Sequence, residues 1–398
     1  MALGCSPAVS SPAPVAAPPE GGAATVVTLP IGARVAQLAL GDNHTCARLE
    51  TGRVACWGDN GMGQLGNGSD RRSTAPVFVS GVLDAIDIRA SRATTCVRRK
   101  TGAVACWGDN AYGQGNPQYD AALTSAPTPW GVYERQGEPT TFTPANVLRV
   151  ATTNSAAAGA RSLSLGYSHG CGVDEAGGVK CWGDASRGQL GAGVPRDAFQ
   201  VQAIVGLPPL VDVAAARFYS CGRTAEGNVW CWGANEQAQL GNEAPGPGPR
   251  QVPGIAGAVA IQLGENRACA RLGSGQVICW GDLLDCGEDR SQRPTPAPDL
   301  ENDVQFVRAA GGCFWCALNT GHGLACEGDP ISEIHFSMGS VSSVAAGISH
   351  ACAARLDGSV WCWGGNSNGE LGRSTARFTD PEPAPVLWPR QILDQPTQ

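Results

Sequence analysis

The chain has 398 residues, a formal net charge of −7 and a sequence pI of about 5.3. That acidity argues against a nucleic-acid surface, and no run is long and apolar enough to cross a bilayer as a helix. Length alone suggests two or three domains, but fourteen of the seventeen cysteines fall in a regular pattern that overrides that estimate.

Residues 1–24 are rich in Ser, Pro and Ala and lack a hydrophobic period, which is the composition of a flexible tether. They hold neither the charged n-region nor the apolar h-region of a complete signal peptide. Ala2-Leu3-Gly4-Cys5 is nevertheless similar to the end of a bacterial lipoprotein signal, in which Cys5 would carry the lipid. The alternative is an incidental cysteine in the tether.

From residue 25 to 398 one unit recurs, and an internal repeat outweighs any single motif. Two cysteines stand ten residues apart at Cys46/Cys56, Cys96/Cys106, Cys171/Cys181, Cys221/Cys231, Cys269/Cys279, Cys316/Cys326 and Cys352/Cys362. Between them lies a short hairpin whose loop ends on Gly52, Gly102, Gly177, Gly227, Gly275 or Gly358, where the backbone turns left-handed. The sixth copy departs, with His322 at that place between Gly321 and Gly323. Folding about the loop sets the two cysteines directly opposite, close enough to form a disulfide. Alternation then turns the following tryptophan (Trp57, Trp107, Trp182, Trp232, Trp280, Trp363) to the other face of the sheet. An apolar run ending in small residues precedes each hairpin, as in Val35–Gly41. A glycine-rich connector and a proline-flanked strand such as Ala75–Val79 follow it.

Four strands per unit and seven units predict an all-β fold, a seven-bladed β-propeller with one intra-blade disulfide per repeat. Two spacings are irregular. Cys106 to Cys181 spans 75 residues, which places an insertion at about 115–158. Cys326 to Cys362 spans 36, which implies a lost connector in the sixth unit. Both Ala24–Leu29 and Pro385–Ile392 are candidates for the strand that completes the last blade.

The connector Trp57-Gly58-Asp59-Asn60-Gly61-Met62-Gly63-Gln64-Leu65-Gly66 recurs at Trp107–Gly115, Trp182–Gly191, Trp232–Gly241 and Trp363–Gly372. It resembles the regulator-of-chromosome-condensation repeat, a family of seven-bladed propellers, from about Ala24 onward. The likeness thins in the fifth unit and is least in the sixth, where Glu327 replaces the tryptophan. The cysteine pairs resemble a secreted bacterial branch of that family.

Several motifs have a plainer reading. Gly61-x-Gly63-x-x-Gly66 matches the dinucleotide fingerprint by letter, but that fingerprint needs a helix next, and Ser69–Pro76 has no helical period. Cys313-Phe314-Trp315-Cys316 has the form of a redox pair, yet Cys316 already faces Cys326; the simpler assignment joins Cys313 to Cys286 as an eighth bridge. Zinc needs four converging ligands, whereas these pairs are spread around a ring. His44, His169 and His350 precede their cysteines by two and read as structural loop residues.

No nucleophile stands beside a base, so no catalytic residue, metal or cofactor is assigned. Paired cysteines argue for an oxidising, extracytoplasmic compartment. The loop between the first two strands varies strongly between units, as binding surfaces on rigid scaffolds do. Tyr167, Arg217, Phe218, Tyr219 and Arg267 on those loops, with Trp130 and Tyr133 in the insertion, are the candidate partner-binding residues. The expected function is non-enzymatic recognition of an extracellular or surface protein by a monomer, with no nucleic acid bound and membrane contact only through Cys5. A secreted β-lactamase inhibitor of the family implies the same mode. The alternatives are guanine-nucleotide exchange on a small GTPase, the activity of the family's founding member, or a carbohydrate-binding or lyase-type propeller.

Overall fold

The computed structural model describes residues 34–116, 147–154, 157–191, 201–242, 248–281, 291–296, 305–308, 315–319, 321–327, 336–374 and 378–388. The first blade shows how the repeat becomes structure. Strands β1 (Val35–Leu40), β2 (His44–Leu49), β3 (Val54–Gly58) and β4 (Ser73–Phe78) pair antiparallel in chain order. Cys46 faces Cys56 in the register, with their Cα atoms 4.1 Å apart and the bridge formed. That is the narrow, non-hydrogen-bonded site of an antiparallel ladder.

The other sheets follow the same plan. They are β5–β8 (Ala85–Ser91, Thr94–Arg99, Val104–Asp109, Val147–Thr153) and β9–β12 (Ser162–Leu165, His169–Val173, Val179–Gly183, Gln202–Ala203). Then come β13–β16 (Leu210–Ala215, Tyr219–Thr224, Val229–Gly233, Arg250–Gln251) and β17–β20 (Ala258–Leu263, Arg267–Leu272, Val277–Gly281, Ser291–Pro296). Last are β21–β24 (Gln305–Arg308, Trp315–Leu318, Leu324–Glu327, Phe336–Met338) and β25–β28 (Val341–Ala346, His350–Arg355, Val360–Gly365, Thr379–Pro385). The described strands thus form seven four-stranded antiparallel sheets, and each innermost strand touches the next around a closed circuit, β25 meeting β1. Six sheets carry the full pattern of bridge and tryptophan. The sheet β21–β24, with strands of three or four residues and Glu327 in the tryptophan's place, is a thin departure from seven equivalent blades.

All seven predicted hairpin bridges are present. The loop glycines take positive φ, and His322 does the same at 62°. Its ring Nδ1 lies 2.9 Å from the Val341 carbonyl, which helps hold that turn.

The core lies between the blades. Six bridges each share a buried cluster with the tryptophan of the following blade: Cys46–Cys56 with Trp107, Cys96–Cys106 with Trp182, Cys171–Cys181 with Trp232, Cys221–Cys231 with Trp280, Cys316–Cys326 with Trp363, and Cys352–Cys362 with Trp57. Opposite faces of one hairpin therefore build two successive interfaces. A buried indole N–H needs an acceptor. Trp57, Trp107, Trp182, Trp232 and Trp280 find one in the preceding connector, at the carbonyls of Glu370, Gln64, Gln114, Gln189 and Gln239, over 2.8–3.0 Å. Gly66, at φ +61°, lies where a Cβ would press on the Trp107 ring, so the connector's last glycine is both a turn residue and a seat for the indole.

Three sequence expectations are corrected. The insertion is shorter than 115–158, because Val147–Thr153 forms β8 and completes its blade. The sixth unit keeps a fourth strand, β24, reached by a connector of residues 328–335 that is shortened instead of lost. The last blade is finished by Thr379–Pro385, a few residues earlier than Pro385–Ile392, so β25–β28 are contiguous in the chain. Val386 and Trp388 then bury themselves against the first blade, Trp388 edge-on to Trp57 at 5.9 Å, and close the circuit without exchanging a strand.

Cys279 stands, by its spacing, at the place of the second cysteine of every other unit. Cys279 does face Cys269 across the hairpin, and their bridge is formed with the Cα atoms 4.1 Å apart. Its surroundings are not equivalent. The next blade places Glu327 where a tryptophan would cover the bridge, so Cys269–Cys279 is the one hairpin bridge among the described residues that shares no buried cluster with a following indole. Both sulfurs' residues are buried all the same, and Cys279 makes a further interaction beyond the bridge. The ladder is also less regular than a simple strand pair. Cys279 pairs with Thr295 of β20, and the register shifts before Gly281, as it does after Cys56, Cys106 and Cys362. The Cys286–Cys313 bridge, Cys5, Trp130, Tyr133 and Ala24–Leu29 lie outside the described residues.

Candidate functional site

The loop from the first to the second strand and the connector after the third share one face of the propeller. Backbone bonds tie them: Asp59 N–H to the Asn43 carbonyl, Asp184 to Ser168, Ala234 to Phe218, at 2.8–3.0 Å. Hairpin tips occupy the other face, where Ala85 donates to Gly52 and Leu210 to Gly177 at the entry to the next blade.

On the loop face, one register position forms a ring. Counting four before the first cysteine gives Asp42, Arg92, Tyr167, Arg217, Glu265, Gly312 in the sixth unit, which lies outside the described residues, and Ile348 in the last. Neighbouring loops are bonded through backbone, with Asp42 N–H on the Arg92 carbonyl at 2.8 Å and Tyr167 N–H on that of Ala216 at 3.2 Å. Their side chains then meet across the blades. The Arg92 and Arg217 guanidiniums lie 4.6 and 5.4 Å from the Tyr167 ring centroid. Arg217 and Arg187 lie 4.9 and 5.6 Å from that of Phe218. Carboxylates stand at the arginine edges: Asp109 on Arg92 at 3.2 Å, Glu236 on Arg187 at 2.7 Å, and Glu265 on Arg217. Burial raises the Asp42 carboxyl above the usual carboxylate range, against the opposing pull of Arg92 and Arg217.

Of the predicted partner residues, Tyr167, Arg217 and Phe218 come together in this cluster. Tyr219 does not: it is fully buried, its hydroxyl 3.0 Å from the Gly264 carbonyl and 2.8 Å from that of Arg267. It locks one blade to the next, and Arg267 is half-buried at the start of β18 beside it. Arg92, Arg187, Glu236 and Glu265 were not singled out from sequence. The register position itself was the signal, since four of the cluster's residues stand at equivalent places in successive units.

The histidines explain Tyr219. His44, His169 and His350 occupy its register position, are buried, and reach the next blade through Nε2: to Thr95 at 2.7 Å, Ser220 at 2.8 Å and Thr45 at 2.8 Å. Thr45 donates its own proton to the Glu370 carbonyl, so it accepts from His350, which is the Nε2–H tautomer. Each imidazole lies against Gly41, Gly166 or Gly347, where a Cβ would overlap the ring. Burial lowers their pKa values to about 4 for His44 and about 3 for His169 and His350, the last also repelled by His44. They are neutral staples.

The inner strands place two carboxylates, Asp87 and Asp212, at equivalent positions in blades two and four. Each is held by a neighbouring blade, Asp87 by Gln37 Nε2 at 2.8 Å and Asp212 by the Ser162 hydroxyl at 2.9 Å. This geometry suits blade-to-blade fastening. The connector of the dinucleotide-like motif is likewise a closed turn: Asn60 Oδ1 accepts from Leu65 N–H at 2.9 Å, and Gln64 bonds Met62 and Asp59. It leads into β4 with no helix to receive a pyrophosphate. Among the described residues no group of three or more His, Cys, Asp or Glu is placed to hold a metal ion, and no helix is long and apolar enough to cross a membrane.

Comparison with known proteins agrees with this construction. A 53-residue stretch is 40% identical to the mitochondrial RCC1 domain-containing protein RUG3 of Arabidopsis thaliana, covering 13% of this chain and 12% of that protein. The fold is shared with human WBSCR16, at a TM-score of 0.57 and 20% identity over 90% of this chain and 83% of that one. It is also shared with Prp20p from Saccharomyces cerevisiae, a protein studied for its binding to Gsp1p and histones, at a TM-score of 0.51 and 18% identity over 88% of this chain and 76% of that one. Residues 35–64, 85–114, 160–189, 210–239 and 341–370, and in a second form 51–97 and 226–270, match the regulator of chromosome condensation (RCC1) repeat, together spanning half of the chain. With the connector turns, the seated indoles and the four-stranded sheets all accounted for by that repeat, the chain belongs to the RCC1-repeat family.

Proposed function

We propose that this protein is a non-enzymatic, extracytoplasmic binding protein that recognises a protein partner through the loop face of its propeller. The cluster of Tyr167, Arg217, Phe218 and Arg187 carries the reading. Tyrosine and arginine are enriched at interface anchors, and here they sit on a scaffold fixed by bridges and buried indoles. Seven disulfides fit an oxidising compartment. Secretion, or attachment through a lipid on Cys5, is the form of export we favour, from a bacterial cell. Nucleotide exchange on a small GTPase has only the shared fold behind it, and fold alone does not assign function. It also needs a reducing compartment.

Two variants test the reading. Arg217→Ala/Phe218→Ala alters the loop face, and Leu83→Ser/Leu356→Ser alters exposed aliphatics near the hairpin tips. Protein with intact bridges is used to capture partners from an extracellular fraction. The reading expects one captured protein to be lost with the loop-face variant and kept with the tip variant; the reverse pattern overturns it. Alkylation before reduction checks the compartment: the fourteen hairpin cysteines of protein from its native source should stay unlabelled, and mostly free thiols would contradict export.

A further inference from the structure

Arg217 stands at the middle of the ring, against both the Phe218 and the Tyr167 rings. Its side chain is 43% exposed and its Nη1 donates to Glu265, itself 28% exposed. Arg187 repeats the arrangement one step outward. It shares the Phe218 ring, is 43% exposed, and donates through Nη1 to Glu236, which is 58% exposed. Two guanidiniums therefore lean on one aromatic ring, each with a carboxylate at one edge, half-buried for Glu265 and exposed for Glu236.

An aromatic face restrains a guanidinium without taking up its in-plane fork of donors, and that fork matches a carboxylate bidentately. Exposed ion pairs are weak, so Glu265 and Glu236 occupy these edges in the free protein and yield to a competing acid. Arg92 is the contrast: at 10% exposure, paired with Asp109 at 4%, it is fixed in place. The glutamates also mark what the arginines are built to receive, since the chain has already set carboxylates against them.

We propose that Arg217 and Arg187, held by Phe218 and Tyr167, form a receptor for two carboxylates of an acidic segment of a protein partner, with Glu265 and Glu236 as internal placeholders. This rests on the loop-face reading and names the chemistry of its partner. The placeholders give it a sign that can be tested. If the partner is acidic, neutralising them removes a competitor and tightens binding. If the partner is basic, neutralising them removes its ligands and weakens binding.

The experiment uses the full chain with its bridges intact and two fluorescein-labelled peptides of equal length, one rich in Asp and Glu, the other in Lys. Fluorescence anisotropy is read at low and at physiological ionic strength. The wild type should bind the acidic peptide, more weakly as salt rises. Glu236→Gln/Glu265→Gln should tighten that binding about two- to fivefold, as expected when weak exposed pairs stop competing. Arg187→Ala/Arg217→Ala should weaken it about tenfold or more. All the changed side chains are partly exposed, and an unchanged thermal midpoint checks the fold.

Preference for the Lys-rich peptide, weakened by the glutamine variant, overturns the acidic partner while leaving the loop face as the binding surface. Absence of binding by either peptide to both wild type and glutamine variant also overturns the inference, and the capture experiment above then judges the loop face by itself. Acidic-peptide binding that survives Arg187→Ala/Arg217→Ala but is lost in Leu83→Ser/Leu356→Ser overturns both.

Discussion

Between the blades, the same few atoms recur: an indole donates to the preceding connector's carbonyl and lies against the preceding disulfide. On the loop face, one register position holds Asp42, Arg92, Tyr167, Arg217, Glu265 and Ile348 in the six units described there. The two regions differ in what surrounds them. A buried indole with one N–H to satisfy admits few solutions, so interface after interface uses the same one. The half-exposed members of the ring, among them Arg217 and Glu265, are less constrained by packing than a buried indole, so side-chain identity can vary there from unit to unit. Uniformity marks the scaffold, and variation at fixed geometry is what the proposed recognition surface rests on.

This contrast orders the expected effects. The largest is in the interior and depends on pH. The unfolded chain protonates its histidines near pH 6.5, whereas folded His44, His169 and His350 resist protonation to about 4, 3 and 3. Stability should therefore be constant above about pH 7 and fall as pH drops from 6.5 towards 4, the unfolded state binding protons that the folded state refuses. Each histidine contributes on the order of 3 kcal/mol to that fall. Thermal midpoints across this range measure it, and His350→Gln should flatten the slope; an unchanged slope would contradict the staple assignment.

Next comes one interface. Trp107→Ala removes a fully buried indole from beside Cys46–Cys56 and leaves the Gln64 carbonyl unmatched, which should cost about 3–5 kcal/mol in urea denaturation. Replacing a single bridge, Cys96→Ala/Cys106→Ala, opens one short hairpin loop and should cost about 2–3 kcal/mol. A loss larger than that of Trp107→Ala would mean that the bridge holds the blades together as well as its own hairpin. The smallest effect belongs to the loop ring. Arg187→Ala/Arg217→Ala breaks two exposed pairs and should change stability by about 1 kcal/mol or less, with binding as its main readout.

Much of the scaffold was legible in the sequence because its chemistry is local. Two cysteines around a three-residue loop fix their own register, and a left-handed loop position selects glycine, or in one unit His322. What covers a bridge is not local: the spacing of Cys269 and Cys279 matches every other pair, yet the next unit, nearly fifty residues on, carries Glu327 where the others carry a tryptophan. The fourth strands were harder to read. β8 has no cysteine or glycine to mark it and lies beyond a long insertion, and β28 is read as a strand only because β27 supplies its ladder. Irregular pairing of the first strands at Val35/Gln37, Ala85/Asp87, Leu210/Asp212, Ala258/Ala260 and Val341/Ser343 also left no trace in composition.

The loop-face cluster was half legible. Tyr167, Arg217 and Phe218 stood out by type, but Tyr219 was misplaced because a buried tyrosine and an exposed one look alike without the register. The pairing of Arg187 and Arg217 with carboxylates of the next blade joins residues about fifty positions apart, which only the closed circuit brings together.

The most direct test of the central claim is partner capture by Arg187→Ala/Arg217→Ala, made well below a thermal midpoint shown to match the wild type. The account predicts that the partner is lost while the propeller stays folded. A folded variant that still holds the partner at wild-type level would contradict the assignment of recognition to the loop ring.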